Sequence, residues 1–188
     1  MVKKTKKSGK LLKAGLVFII AVTVLGFVLK LSLEKIYPTD YSEYVQKYST
    51  LYGVDENLIY AVIKTESGFN ENALSEDDAK GLMQITPDTF NWIHSKLNDG
   101  EFTHDDMYNP EINIRYGVYL ISYLLEEFDN TQTALAAYHA GRGVVNKWVK
   151  NPDYSSDGKT LDTIPYKDTD HYVYKVTRYY NIYLRLYK

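Results

Sequence analysis

The feature that most restricts this chain is an uncharged, mostly apolar run from Ala14 to Leu29, preceded by Lys3, Lys4, Lys6, Lys7, Lys10 and Lys13 and closed by Lys30. Sixteen residues of helix at about 1.5 Å each reach roughly 24 Å, short of the ~30 Å hydrocarbon core, but Lys13 and Lys30 can snorkel and lengthen the effective span. Taken with Leu31 and Leu33, the run predicts a single-pass transmembrane signal-anchor over residues 14–33. Residues 1–13 then form a basic cytoplasmic tail, and residues 34–40, around Tyr37-Pro38-Thr39-Asp40, a short stalk. The flanking lysines put the N-terminus in the cytoplasm and all that follows outside. A cleaved signal peptide is the competing reading, although no convincing small-x-small site follows the run. A buried core helix is a third.

The remaining length suits one globular domain, residues 41–188, rather than two. The formal net charge of −2 conceals an asymmetry: seven of the 22 Lys and Arg residues lie in the first 30 positions, and beyond them 15 basic residues face 24 acidic ones. An acidic body of this kind is repelled by phosphates, which argues against nucleic acid as a partner. The absence of cysteine excludes disulfides, thiolate metal sites, cysteine nucleophiles and a lipid anchor on an N-terminal cysteine.

The domain reads as all-α. A first helix is expected from Tyr41 to Tyr52, stopped by Gly53, and a second from Glu56 to Ser67, capped by Asp55 and stopped by Gly68. Thr86-Pro87 and Asn109-Pro110 each open a helix with a cap and a first-turn proline. The second of these, to about Phe128, carries Ile114, Val118, Ile121 and Leu125 as a buried stripe. Shorter helices are expected over Thr131–His139 and Val144–Lys150, then a loop from Asn151 to Lys167 and a final helix from Asp168 to Leu186. No alternation of period two is long enough to require a sheet.

In the second helix Ile59, Val62 and Ile63 form an apolar stripe, and the next position on that face is Glu66. A carboxyl group therefore stands where a core side chain belongs, in a last turn whose carbonyl ends disfavour negative charge. Burial and dipole both raise its pKa, and a carboxyl kept protonated near neutral pH is what general-acid cleavage of a glycosidic bond requires. A solvated glutamate at a helix end is the plainer reading of the same pattern.

Three motifs in order go further: Glu66-Ser67-Gly68-Phe69-Asn70 with Ala73 and Ser75, then Gly81-Leu82-Met83-Gln84-Ile85-Thr86-Pro87, then Ala136-Ala137-Tyr138-His139-Ala140-Gly141. Over about residues 41–188 the chain resembles the soluble lytic transglycosylase family, whose catalytic domains share a lysozyme-like helical fold similar to goose-type lysozyme. The resemblance implies that Glu66 protonates the glycosidic oxygen between N-acetylmuramic acid and N-acetylglucosamine. As carboxylate it then takes the proton of the muramoyl C6 hydroxyl, which closes on C1 to give a 1,6-anhydro end. One carboxyl group serves both steps because the attacking hydroxyl belongs to the same sugar.

The resemblance further implies that Ser75 and Gln84 are polar sugar contacts, that Met83 is part of the cleft wall, and that Tyr138 closes over the site and hydrogen-bonds Glu66. On a plainer reading Met83 is core and Tyr138 fills a helix interface. Ile164-Pro165-Tyr166-Lys167-Asp168-Thr169 and Tyr172-Val173 resemble the family's closing stretch, with Asp168 where glutamate is usual and Tyr172 lining the cleft. The implied partners are peptidoglycan glycan strands and, through the N-terminal helix, the membrane; the envelope machinery that recruits the protein is left open. No cofactor or metal is implied, and His94, His104, His139 and His171 show no ligand spacing.

Two departures matter. His139 replaces the family asparagine, and Asp78 stands where glycine is common. Asp77 and Asp78 supply a carboxylate that could position water, which keeps a hydrolytic muramidase open, and a catalytically inactive glycan-binding or scaffold protein is the rival from another class.

Overall fold

In the computed structural model, which describes residues 4–98 and 100–187 with side chains from Lys13 onward, the chain divides into two units, Met1–Pro38 and Thr39–Lys188. The first unit holds one helix, α1 (Lys4–Ile36). Within it Lys13–Ile36, 24 residues, is long and apolar enough to cross a membrane, and none of it is buried in protein. At about 1.5 Å per residue this stretch spans roughly 36 Å, more than the hydrocarbon core needs. Its hydroxyls fold back on the helix: Thr23 donates to the carbonyls of Ile19 and Ile20, and Ser32 to that of Val28. Such internal bonds suit a helix without water around it. The helix runs through Glu34 and Lys35, so the first part of the expected stalk is helical, as is the basic segment from Lys4.

The second unit is built from α2 (Ser42–Tyr52), α3 (Glu56–Glu66), α4 (Pro87–Leu97), a 3-10 helix (His104–Tyr108), α5 (Pro110–Phe128), α6 (Thr131–Ala140), α7 (Arg142–Trp148) and α8 (Lys167–Leu186). The caps are the residues that the sequence offers for them. Asp55 accepts from the Asn57 N–H, Thr86 from Thr89, Asn109 from Glu111 and Ile112, and Asn130 from Thr133, each satisfying amides that the helix leaves unpaired. Gly53 closes α2 at φ 69°. The stripe of α5 holds at Ile114, Val118 and Ile121, but Leu124 rather than Leu125 is its fully buried continuation. The 3-10 helix was not foreseen; Asp106 caps it by accepting from both the N–H and the hydroxyl of Thr103.

Helix α3 is the axis of the domain. Leu58 through Ile63 are buried without a break, so the helix is wrapped on all sides rather than along one stripe. α8 and α2 pack against it, α5 joins α2 to α6, and α6 bridges to α7 and α8. Tyr60 stacks on Tyr183 of α8 at 5.5 Å between ring centres. Being enclosed, α3 delivers its last residue to the interior of a groove rather than to the surface.

Candidate active site

That last residue is Glu66, and the groove around it is assembled from three separated segments. A cleft of ≈ 250 Å³ is lined by Glu66, Ser75, Asp77, Gln84, Thr86, Tyr138 and His139, among others. Past Thr89, Leu120 and Tyr138, which border both, lies a second hollow of ≈ 270 Å³ lined also by Trp92 and Arg142. The two hollows thus adjoin through residues that line both.

Loss of water around the carboxyl pushes the Glu66 pKa from an ordinary 4.5 up to about 7, against the opposing pull of a Tyr172 hydrogen bond and the Lys175 charge. The Tyr172 hydroxyl donates to Glu66 Oε1 at 2.7 Å, and the ring itself is 6% exposed. Part of the Glu66 side chain still meets solvent on the groove side. A carboxyl with a pKa of about 7 holds its proton about half the time at neutral pH and ionises as readily, which is what a group acting in turn as acid and base must do.

The turn Gly81–Gln84 contributes Gln84 to the same cleft. Gly81 takes φ +75°, and a Cβ there would lie 2.1 Å from the Met107 carbonyl oxygen and 2.4 Å from Asn113 Nδ2. Only glycine fits both the left-handed backbone and the space. The turn is tied from three directions. Asn113, fully buried on α5, accepts from the Met83 N–H at 2.8 Å and donates to the Lys80 and Met107 carbonyls, both at 2.8 Å. Ser67 donates to the Leu82 carbonyl at 2.8 Å, and Tyr138 to the Met83 carbonyl at 2.7 Å. Ser67 therefore links the end of α3 to the turn. Asn113 was missed: a lone asparagine inside an apolar helix carries no motif, and only its complete burial marks it.

Of the residues expected at the site, Glu66, Ser75, Gln84, Tyr138 and His139 line the cleft together. Ser75 Oγ accepts from the Ala79 N–H, shaping the loop that leads into the turn. Gln84, at φ 49°, donates through Nε2 to the Gly81 carbonyl at 3.0 Å. Four expectations need correction: Tyr172, expected to line the cleft, is buried and not among its lining residues, and it meets Glu66 through its hydroxyl. Met83 is not cleft wall: its side chain is fully buried, with its sulfur packed where a Cβ on Gly117 would stand. Tyr138 does not hydrogen-bond Glu66; its hydroxyl is spent on the Met83 carbonyl, and Tyr172 makes that bond instead. Asp168 is exposed in the first turn of α8 and is not among the residues lining the cleft, though its charge reaches His139.

The two departures also find a place. Asp78 adopts φ 57°, the conformation that favours glycine, and its carboxylate is paired with Lys80 at 3.5 Å and His104 at 3.7 Å. Asp77, by contrast, lines the cleft. Among the described residues no group of three or more His, Cys, Asp or Glu gathers as a metal would need.

Fold and site define a helical domain that presents a carboxyl of raised pKa, Glu66, to an open groove beside a glycine-dependent turn. A family model for the transglycosylase SLT domain matches residues 43–160. The chain is 29% identical over 150 residues to the soluble lytic murein transglycosylase of Escherichia coli K12, covering 78% of this chain and 23% of that one. It is 30% identical over 168 residues to membrane-bound lytic murein transglycosylase C of Edwardsiella ictaluri, covering 78% and 47%. Among solved structures it is similar to the 70 kDa soluble lytic transglycosylase of Escherichia coli, with a TM-score of 0.71, 28% identity, and coverage of 81% of this chain and 26% of that one. The chain belongs to the transglycosylase SLT domain family. It spans between a quarter and a half of the length of these relatives.

Proposed function

We propose that the protein is a lytic transglycosylase of peptidoglycan, tethered by α1 to a bacterial cell membrane with its catalytic domain outside. The observation that carries the reading is Glu66, whose carboxyl is held protonated to about 7 at the floor of the groove.

In this reading the Glu66 proton passes to the oxygen linking N-acetylmuramic acid to N-acetylglucosamine. The C1–O bond breaks and the N-acetylglucosamine end leaves as an alcohol. Charge developing at C1 is shared by the substrate's own acetamido group. The muramoyl C6 hydroxyl then bonds to C1 and its proton returns to Glu66, so no water is consumed and the enzyme is restored. Tyr172 holds the carboxyl between the two roles: its hydroxyl stabilises the anion and limits how far burial raises the pKa. Ser75, Gln84 and the free Nε2 edge of His139 are polar groups available to sugar hydroxyls and amides. The anchor rests on the length and composition of Lys13–Ile36 and on the lysines before it.

Asp77 on the same cleft wall supports a second reading, a hydrolytic muramidase in which it positions water. Mass spectrometry of muropeptides released from purified peptidoglycan by the full-length protein in detergent separates the two, with Glu66→Gln in parallel. Anhydromuramoyl ends that disappear in the variant, a loss of ~10³-fold or more in rate, are the expected result. Reducing ends would make the protein a hydrolase. Folded protein that binds glycan without releasing products would make it a scaffold.

A further inference from the structure

His139 stands where the family has asparagine, and its ring does something an amide side chain does poorly. The imidazole lies against the Tyr172 ring, 4.5 Å between centres and tilted by 32°, while its Nδ1 meets the Thr169 hydroxyl at 3.1 Å. Thr169 is buried at 2% exposure one turn before Tyr172 on α8. The imidazole is thus fixed at one nitrogen to the helix that carries Tyr172 and covers one face of the ring whose hydroxyl touches Glu66. A tyrosine ring keeps its hydroxyl in place only if the ring cannot swing, and the His139 imidazole, held by its own hydrogen bond, is a flat partner against this buried ring.

We infer that His139 is a positioning residue, which acts on Glu66 through Tyr172 by holding the phenol ring in register with the carboxyl oxygen. The inference rests on the reading of Glu66 as the catalytic acid for its importance, but not for its test. The groups that bear on the pair are few: Asp168 faces His139 from the start of α8, Lys175 acts on Glu66 from the same helix, and the Tyr138 ring of α6 lies close enough to feel the Glu66 charge.

The test reads the protonation midpoint of Glu66 by carboxyl ¹³C NMR in full-length protein in detergent, with the Glu66→Gln variant assigning the resonance. Tyr172→Phe removes the donor and moves the midpoint upward, by about half a pH unit or more for one hydrogen bond to a carboxylate. His139→Ala, which removes the flat partner, moves it in the same direction. His139→Phe, which keeps a ring on Tyr172 and loses the nitrogens, leaves the midpoint where it was while raising KM through the lost polar edge. In the double variant His139→Ala with Tyr172→Phe no further movement follows, since the two act in series.

An unmoved midpoint in His139→Ala would overturn the inference. So would equal movement in the Ala and Phe variants, or additive movement in the double variant, because each would mean that His139 does not work through the ring. The readout needs no turnover. A protein that released no anhydro products would sink the catalytic reading while leaving this one to be judged on the midpoints alone.

Discussion

Glu66 is costly to the fold whenever it is ionised, and the cost follows from its site. Its pKa rises from 4.5 to about 7 on burial, so the folded state holds its proton more tightly than the unfolded chain does. The sign follows directly: stability contributed by the protonated form is fully present below about pH 4.5 and is lost as pH rises through 7. Two and a half pH units at about 1.4 kcal/mol each give about 3.4 kcal/mol, and residual solvent contact on the groove side trims this to roughly 2–3 kcal/mol. Glutamine has the same shape, cannot ionise and still offers Tyr172 an oxygen. Glu66→Gln is therefore expected to stabilise the domain by roughly 2–3 kcal/mol at pH 8.5 and to leave it almost unchanged at about pH 4. For a domain of this size that is a rise in Tm of about 4–12 °C at the higher pH. Differential scanning calorimetry of both proteins across that range checks it. A Tm difference that does not depend on pH, or a glutamine variant less stable at pH 8.5, would refute the claim that desolvation governs this carboxyl.

Gly81→Ala places a Cβ against the Met107 carbonyl in a left-handed backbone, and a loss of about 3–5 kcal/mol in urea denaturation is expected. Asn113→Ala strands the Met83 N–H and the carbonyls of Lys80 and Met107, so a loss of about 2–4 kcal/mol is expected, with peptidoglycan cleavage falling further than stability alone explains. The pH profile of kcat/KM should fall on the alkaline side with a midpoint near 7, since the acid form of Glu66 starts the proposed reaction, and a flat profile from pH 6 to 9 would count against it.

Most of the helices were legible because their ends are written in single residues. Asp55, Thr86, Asn109 and Gly53 act as caps and stops in the structure as their chemistry predicts, and helix boundaries shift by no more than about two residues where such signals exist. Where they are weak the reading slipped: α7 begins at Arg142, before the expected Val144, because Gly141 and not a polar side chain precedes it. Glu66 was legible as an interruption of an apolar stripe. Its desolvation was not, since that depends in part on α8, far along the chain. The exchange of roles between Tyr138 and Tyr172 has the same origin. Either hydroxyl fits a glutamate in the abstract, and only the turn's geometry, which offers the Met83 carbonyl to Tyr138, decides between them. For Met83 the plainer reading, core, is the one that holds: its side chain is fully buried, and the resemblance alone had put it on the cleft wall.

The bond between Tyr172 and Glu66 joins residues 106 positions apart, and Tyr138 closes on a carbonyl 55 positions behind it. Loop closures of that length come late, because their entropy must be met before the contact returns anything. A chain that has folded only through α5 lacks Tyr138 on the turn, and one that has folded through α7 still lacks Tyr172 on Glu66. The surroundings of Glu66 are thus completed by α8, the helix of this domain that comes latest in chain order. The carboxyl environment of Glu66 therefore exists only once α8 has docked, and clipping α8 from the domain would undo that environment without touching Glu66 itself.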